Sequence, residues 1–313
     1  MASSSLLLLI VMVVAVTVHG YTHIADGTPA ARFWEAALPG SPMPESIAKL
    51  VRKGIDHSPL TENHTAARFL PNAGPRFLDY GTKCAGPHPM SGHIVLAGLF
   101  FHEADMHRGG VMTLALPASD PAAFLPRDAA DGIPFGNLTD TLARFGIALG
   151  SKEAARVGDT VCRCSAEPLA GERKACATSL EGVVVSAKGL LATSRPVSAW
   201  ASTVPSSGLP RGEYVVQAVR PLGGGGGRHF VACHSNPYPY AVYGCHMPDG
   251  PSQAHLISIH GGGLPTVDMV AMCHLDTSNW NPAHPAFKIL GTHPGGSPIC
   301  HFMPYADMVF GER

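Results

Sequence analysis

His229-Phe-Val-Ala-Cys-His234-Ser-Asn-Pro-Tyr-Pro-Tyr240-Ala-Val-Tyr-Gly-Cys-His246 is the stretch on which the reading of this chain turns. Two apolar runs rich in β-branched and aromatic residues each end in Cys-His, and Asn236-Pro237-Tyr238-Pro239 lies between them. The pattern predicts two strands, His229–His234 and Tyr240–His246, joined by a turn. The dipeptide then recurs twice, as Cys273-His274 and Cys300-His301, with 10, 26 and 25 residues between successive copies. Neighbours on a strand point to opposite faces. The four His can therefore converge on one face while the four Cys share the other.

The same texture spreads outward. Ile94–Phe101, Val111–Leu116, Glu213–Val219, Ala254–His260, Val267–His274, Phe287–Leu290 and Pro298–Phe302 read as strands separated by turn residues. Gly223–Gly227 reads as a flexible loop. It is not a phosphate cradle, because no Lys-Ser/Thr follows. Helices are few. Thr28 caps a helix with Pro29 in its first turn, which carries Phe33, Trp34 and Leu38 and stops at Pro39. A second starts near Pro44, with Ile47, Leu50 and Val51 on one face and Gly54 as its stop. Thr139–Leu149 reads as a short helix interrupted by Gly146. Thr178 and Glu181 form a capping-box pattern ahead of Val183–Lys188, with Gly189 as the stop. Residues 72–92 read as a loop. The expected fold is α+β and β-rich: a single disulfide-containing domain over about 98–311, behind a Pro/Gly-punctuated lead-in, 21–92, with short helices.

Composition agrees. Gly (35) and Pro (28) make about a fifth of the 313 residues, which favours turns and strands. The chain is 45% hydrophobic, 14% charged and of net charge −1. That excludes a disordered chain and a strongly basic nucleic-acid binder. Leu6–Val18 is an unbroken run of apolar and small residues, too short to span a bilayer and suited to the core of a secretory signal over residues 1–20. No other stretch is long and apolar enough to span, so no membrane contact is expected after cleavage, and the expected location is extracellular. Asn63-His-Thr and Asn137-Leu-Thr are glycosylation sequons. Eight Cys in an exported chain point to disulfides.

The four Cys-His pairs admit three readings: two disulfides flanked by surface His, a His metal site, or mixed thiolate-imidazole ligation. No C-x-x-C or H-x-x-x-H supports a zinc finger. A cluster of imidazoles suits copper or zinc, and copper stands highest in the affinity order. His102-Glu103-Ala-Asp105-Met-His107 misses the zinc-protease motif, since its second His is five residues on rather than four. Among the other Cys, Cys164 with Cys176 is the first choice for a disulfide; Cys84 and Cys162 are left over, and two outcomes stay open, a pairing of the two that ties the lead-in to the domain, or one free Cys or shuffled pairings. Mildly acidic surroundings would protonate many of the 17 His, and the chain would then adhere to acidic polysaccharide.

The spacing CH-x10-CH-x26-CH-x25-CH resembles the BURP domain of secreted plant proteins. Further motifs match it: Phe100-Phe101 with Asp105, Phe124-Leu-Pro-Arg127, Ile133-Pro-Phe135, and Gly171-Glu172-x-Lys174-x-Cys176-Ala-Thr-Ser-Leu-Glu181. So do Tyr238–Tyr243, Asp276-Thr-Ser-x-Trp280-Asn-Pro282, and His284 with Phe287. Upstream, Trp34-x-x-x-Leu38-Pro39 and Pro42-Met-Pro44 are similar to the segment preceding the domain in several members. The resemblance implies a protein of the apoplast or cell wall, structural or regulatory in development or stress response, with wall polysaccharide or wall protein as partner. It also implies an alternative. Some members are copper-dependent peptide cyclases that cross-link a Trp or Tyr side chain onto a core peptide. Under either reading His234, His246, His274 and His301 are the candidate copper ligands, and Cys233, Cys245, Cys273 and Cys300 are disulfide candidates. Residues 21–92 contain no repeated core motif, which favours the wall-protein reading over self-cyclisation; a peptide substrate supplied by another chain stays open.

Overall fold

The computed structural model describes residues 27–56, 98–133, 135–168, 170–224 and 229–313. The signal segment, Asn63, the loop read at 72–92, Cys84, residues 94–97 and Gly225–Gly227 lie outside the described residues.

Two antiparallel sheets form the body. The first contains β1 (Phe100–His102), β2 (Val111–Leu116), β5 (Leu209–Pro221), β8 (Ser252–Gly261), β9 (Leu264–His274) and β10 (Ile299–Phe302), in the order β1-β10-β9-β8-β5-β2. The second contains β3 (Glu172–Ala177), β4 (Val197–Trp200), β6 (Phe230–Asn236), β7 (Val242–Pro248) and β11 (Met308–Glu312), in the order β3-β7-β6-β11-β4. One apolar cluster joins them: Phe230, Ala232 and Val309 from the second sheet meet Ala254, Val270 and Met272 from the first. The central strands β6, β7 and β10 are buried nearly throughout. This is why they read as continuous apolar runs rather than alternating ones.

Helices cover the far face of the second sheet. α1 (Pro29–Ala37) is capped by Thr28, whose hydroxyl accepts the Ala31 N–H. With α2 (Glu45–Asp56) it places Trp34, Leu38, Ile47, Leu50 and Val51 against Phe310, Tyr243 and the buried face of a later helix. Trp34 Nε1 donates to Ser41 O at 2.7 Å, and Ser41 Oγ accepts from Ala199 N–H on β4 at 3.0 Å. The lead-in helices are thus a layer of the folded body. Gly54 is not the stop expected for α2 but an interior residue. A Cβ there would lie 1.7 Å from Phe124 O, so the glycine is required by close backbone approach.

Between the sheets' sequences run α3 (Arg127–Asp131), α4 (Leu138–Arg144), α5 (Lys152–Ser165) and α6 (Leu180–Leu191). α4 ends before Gly146, near the expected break. α6 is capped by Ser179, not Thr178, and runs through Gly189 to a left-handed Ala192. α5 has no counterpart in the sequence reading. Its buried stripe is Ala154, Val157 and Thr160, too small and too polar to stand out as a periodic face. The expected strand Phe287–Leu290 is helical: α7 (Pro285–Leu290) has Pro285 in its first turn, a His284 ring accepting the Ala286 N–H, and a left-handed Gly291 behind it.

The domain holds more than a single disulfide. Cys164–Cys176, Cys233–Cys245 and Cys273–Cys300 lie among the described residues. Cys162 is also disulfide-bonded, and its expected partner, Cys84, lies outside them. Asn137 is exposed and caps α4, accepting Asp140 N–H at 3.1 Å. No helix among the described residues is long and apolar enough to cross a membrane.

Candidate metal centre

Register places the four imidazoles. Cys233 sits directly opposite Cys245 on β6 and β7, so the next residues, His234 and His246, turn to the other face on a diagonal, each opposite a small residue, Gly244 or Ala232. Cys273 and Cys300 repeat the arrangement on β9 and β10, which puts His274 opposite Ile299 and His301 opposite Met272. The Cys side chains join the outer clusters of the two sheets. The His side chains meet where the sheets face each other.

Two close pairs result. His234 Nε2 lies 3.2 Å from His246 Nε2, and His274 Nε2 lies 3.4 Å from His301 Nε2. Across the seam the ring centroids of His234 and His301 are 5.7 Å apart, and those of His246 and His274 are 6.0 Å apart. All four rings are at most 3% exposed. The disulfides leave no thiolate at the paired Cys positions, so mixed thiolate-imidazole ligation has no donor there.

The outward nitrogens are bound unequally. His234 Nδ1 lies 2.7 Å from the buried Asp307 carboxyl, and His246 Nδ1 lies 2.5 Å from Glu172 Oε1. His301 Nδ1 lies 3.3 Å from the Phe302 carbonyl. His274 Nδ1 is buried without a hydrogen-bond partner. Trp280 stands edge-on to His274 with centroids 4.9 Å apart, and packs on His284 at 4.7 Å. It is half-buried, unlike the four imidazoles.

Burial sets the protonation. It holds His234, His274 and His301 well below the usual imidazole range, helped by the neighbouring rings. It takes His284 down to about 4 and lowers His255. Asp307 is pushed up to about 8 by burial, against the opposing Ser235 N–H bond. His234, His274 and His301 are therefore held as neutral imidazoles, the form that ligates metal. These five depressed His contribute less charge in mild acid than free imidazoles do, which weakens the expected acid-driven adhesion.

The donor set suits a metal ion. Facing nitrogens at 3.2 and 3.4 Å match the spacing of two imidazoles on one ion with bonds of about 2.0–2.1 Å. Carboxylates behind ligating imidazoles are the usual outer partners of such sites. Among the described residues no set of three or more His, Cys, Asp or Glu already forms an ion-holding group. Sequence reasoning singled out the four His, but it gave no role to Glu172, although it quoted the motif containing it, and it missed Asp307. Asp307 lies 73 positions from His234, and no local signal marks it.

Two sheets, each braced internally by a cross-strand disulfide and seamed together by imidazoles, define a disulfide-braced, Cys-His-repeat class of protein. A family model described as the BURP domain matches residues 99–312, and the chain belongs to the BURP-domain family. It is 34% identical over 367 residues to Protein RAFTIN 1B of Triticum aestivum, covering 100% of this chain and 98% of that protein. It is 45% identical over 223 residues to BURP domain-containing protein 13 of Oryza sativa subsp. japonica, covering 69% of this chain and 53% of that one. Against BURP domain protein RD22 of Arabidopsis thaliana the identity is 36% over 248 residues, covering 77% and 61%. The chain thus spans nearly all of the first and between half and two-thirds of the other two.

Proposed function

We propose that this is an extracellular BURP protein of the plant apoplast or cell wall. It acts structurally or as a regulator in development or stress response, with a metal ion held by His234, His246, His274 and His301. The observation that carries this reading is the buried quartet of imidazoles at the seam of the sheets. An ion there would tie β6–β7 to β9–β10 as a cross-sheet staple, and the burial of all four rings favours a framework role. Copper leads by the affinity order. When bound it would supply Lewis acidity and redox capacity. His234 and His246 are oriented by carboxyl groups, and the apolar walls exclude water from the ligands.

A second reading, oxidative cross-linking of an aromatic side chain on a peptide, has one observation in its favour. The half-buried Trp280 beside His274 and His284 makes an aromatic approach to the cluster.

Native mass spectrometry of the mature protein tests both readings. Bound copper that is lost in a folded His246→Ala variant supports a metal centre. Absence of metal after copper loading overturns it. After reduction and alkylation, a loss of two hydrogens from an offered peptide after exposure to copper and air moves the reading to the cyclase.

A further inference from the structure

Asp307, His234, His246 and Glu172 form one continuous chain of polar contacts, with steps of 2.7, 3.2 and 2.5 Å. It runs from a buried carboxyl through the β6–β7 imidazole pair to the carboxylate of Glu172 at the start of β3, the edge strand of its sheet. The contacts of the β9–β10 pair differ. His301 has a carbonyl from its own strand, and His274 Nδ1 has no partner.

We propose that Glu172 and Asp307 are positioning residues that brace His246 and His234, making the β6–β7 pair the anchoring half of the imidazole cluster and His274, whose Nδ1 has no partner, its compliant member. An ionised carboxylate only accepts hydrogen bonds, so Glu172 requires a proton on His246 Nδ1 and leaves its Nε2 as the inward lone pair. A bond to a carboxylate, as between His246 and Glu172, holds a ring more firmly than a bond to a carbonyl. Asp307 is itself fixed. One of its oxygens accepts Ser235 N–H at 3.0 Å while the other faces His234. The residue before it, Ala306, is held at φ +67°, with its carbonyl taken by Tyr243 OH at 2.9 Å. Left-handed backbone at a non-glycine residue is costly and persists where the surroundings impose it. The fold here imposes it at the turn that delivers the Asp307 carboxyl.

The affinity arm of the test rests on the metal reading above; the tautomer arm does not. Glu172 carries the test, because it lies at a sheet edge and its substitution leaves the buried core intact. In the full metal-free chain, Cu(II) affinity is measured by chelator competition. Glu172→Ala is expected to weaken it by about 10–100-fold. Glu172→Gln keeps an acceptor oxygen and should restore most of the loss. His246→Ala should abolish uptake where His274→Ala leaves a weaker site. Affinity unchanged in Glu172→Ala, or equal losses in the two His variants, overturns the proposal. Nitrogen-15 NMR of the metal-free protein provides the second readout. His246 is expected as the Nδ1–H tautomer, and that preference should vanish in Glu172→Ala. His246 found as Nε2–H in the wild type overturns the proposal. Wild-type protein that binds no Cu(II), yet shows the tautomer and its loss in the variant, upholds the positioning role and defeats the metal reading.

Discussion

Cys273 faces Cys300 directly across β9 and β10 and is joined to it by a disulfide, Cα to Cα 3.9 Å. The pairing sets the register of the two strands, and register decides where the next residues point. His274 and His301 consequently reach the opposite face with their Nε2 atoms 3.4 Å apart. The same relation holds between Cys233–Cys245 and the other imidazole pair.

Replacing Cys273 and Cys300 together by Ala should destabilise the protein by about 3.5 kcal/mol, the chain-entropy value for a loop of this length. Urea unfolding without reductant, compared with wild type, measures it. A loss below about 1 kcal/mol would mean that the strands keep their pairing without the bridge.

Trp34→Ala should cost about 3–5 kcal/mol, as for a large buried aromatic. The ring is 1% exposed, packs 6.5 Å from Phe310 and donates to Ser41 O. Chemical denaturation should show a single transition moved to lower denaturant. Two transitions would show that the lead-in helices unfold separately from the sheets.

Gly54→Ala should be destabilising by about 1–3 kcal/mol, although alanine favours helix. The added methyl meets the Phe124 carbonyl, a backbone atom that cannot rotate away. Thermal melting of the variant beside an Ala substitution at exposed Lys49 separates the clash from the propensity gain.

Acid should destabilise the metal-free protein. His234, His274 and His301 are held well below 6.5 and His284 at about 4, all chiefly by burial. Unfolding frees each to bind a proton near its ordinary value of about 6.5, so stability falls as pH drops below that value. Asp307, raised to about 8 by burial, acts oppositely. Its contribution is greatest in acid and is lost as pH rises through 8. Four His outweigh one Asp, at about 1.4 kcal/mol per pH unit for each net proton. Denaturant midpoints should therefore peak near pH 7, where the protons taken up by the unfolded imidazoles balance the one that unfolding releases from Asp307. A midpoint unchanged between pH 6.5 and 5 would show that the imidazoles are not buried neutral.

Much of the fold is legible because its signals are local. Val111–Leu116 is the strand its alternation predicts, and Thr28 with Pro29 opens α1 as the cap chemistry requires. Where the reading failed, a longer-range term decided. Phe287–Leu290 has strand-like composition, but Pro285 and Gly291 bracket it into a helical turn. Gly54 and Gly189 resemble helix stops and are interior residues, because packing supports the turns around them. β4 and β11 pair Val197 with Glu312, residues far apart in the chain, β11 is held on its other side by β6, and neither strand has a periodic pattern to announce it.

By itself the sequence determined the repeated Cys-His dipeptides, the strand alternation that separates Cys from His, and so the identity of the four clustered imidazoles. These follow from the period of the pleat, which is a property of adjacent residues. Only the tertiary structure decided that the two imidazole pairs meet across a seam between sheets, that Asp307 and Glu172 stand behind one pair and not the other, and that the lead-in helices seal the far face. Those facts depend on register and on packing between segments far apart in the chain, where burial and the need to satisfy buried polar groups select one arrangement from many that the local pattern allows.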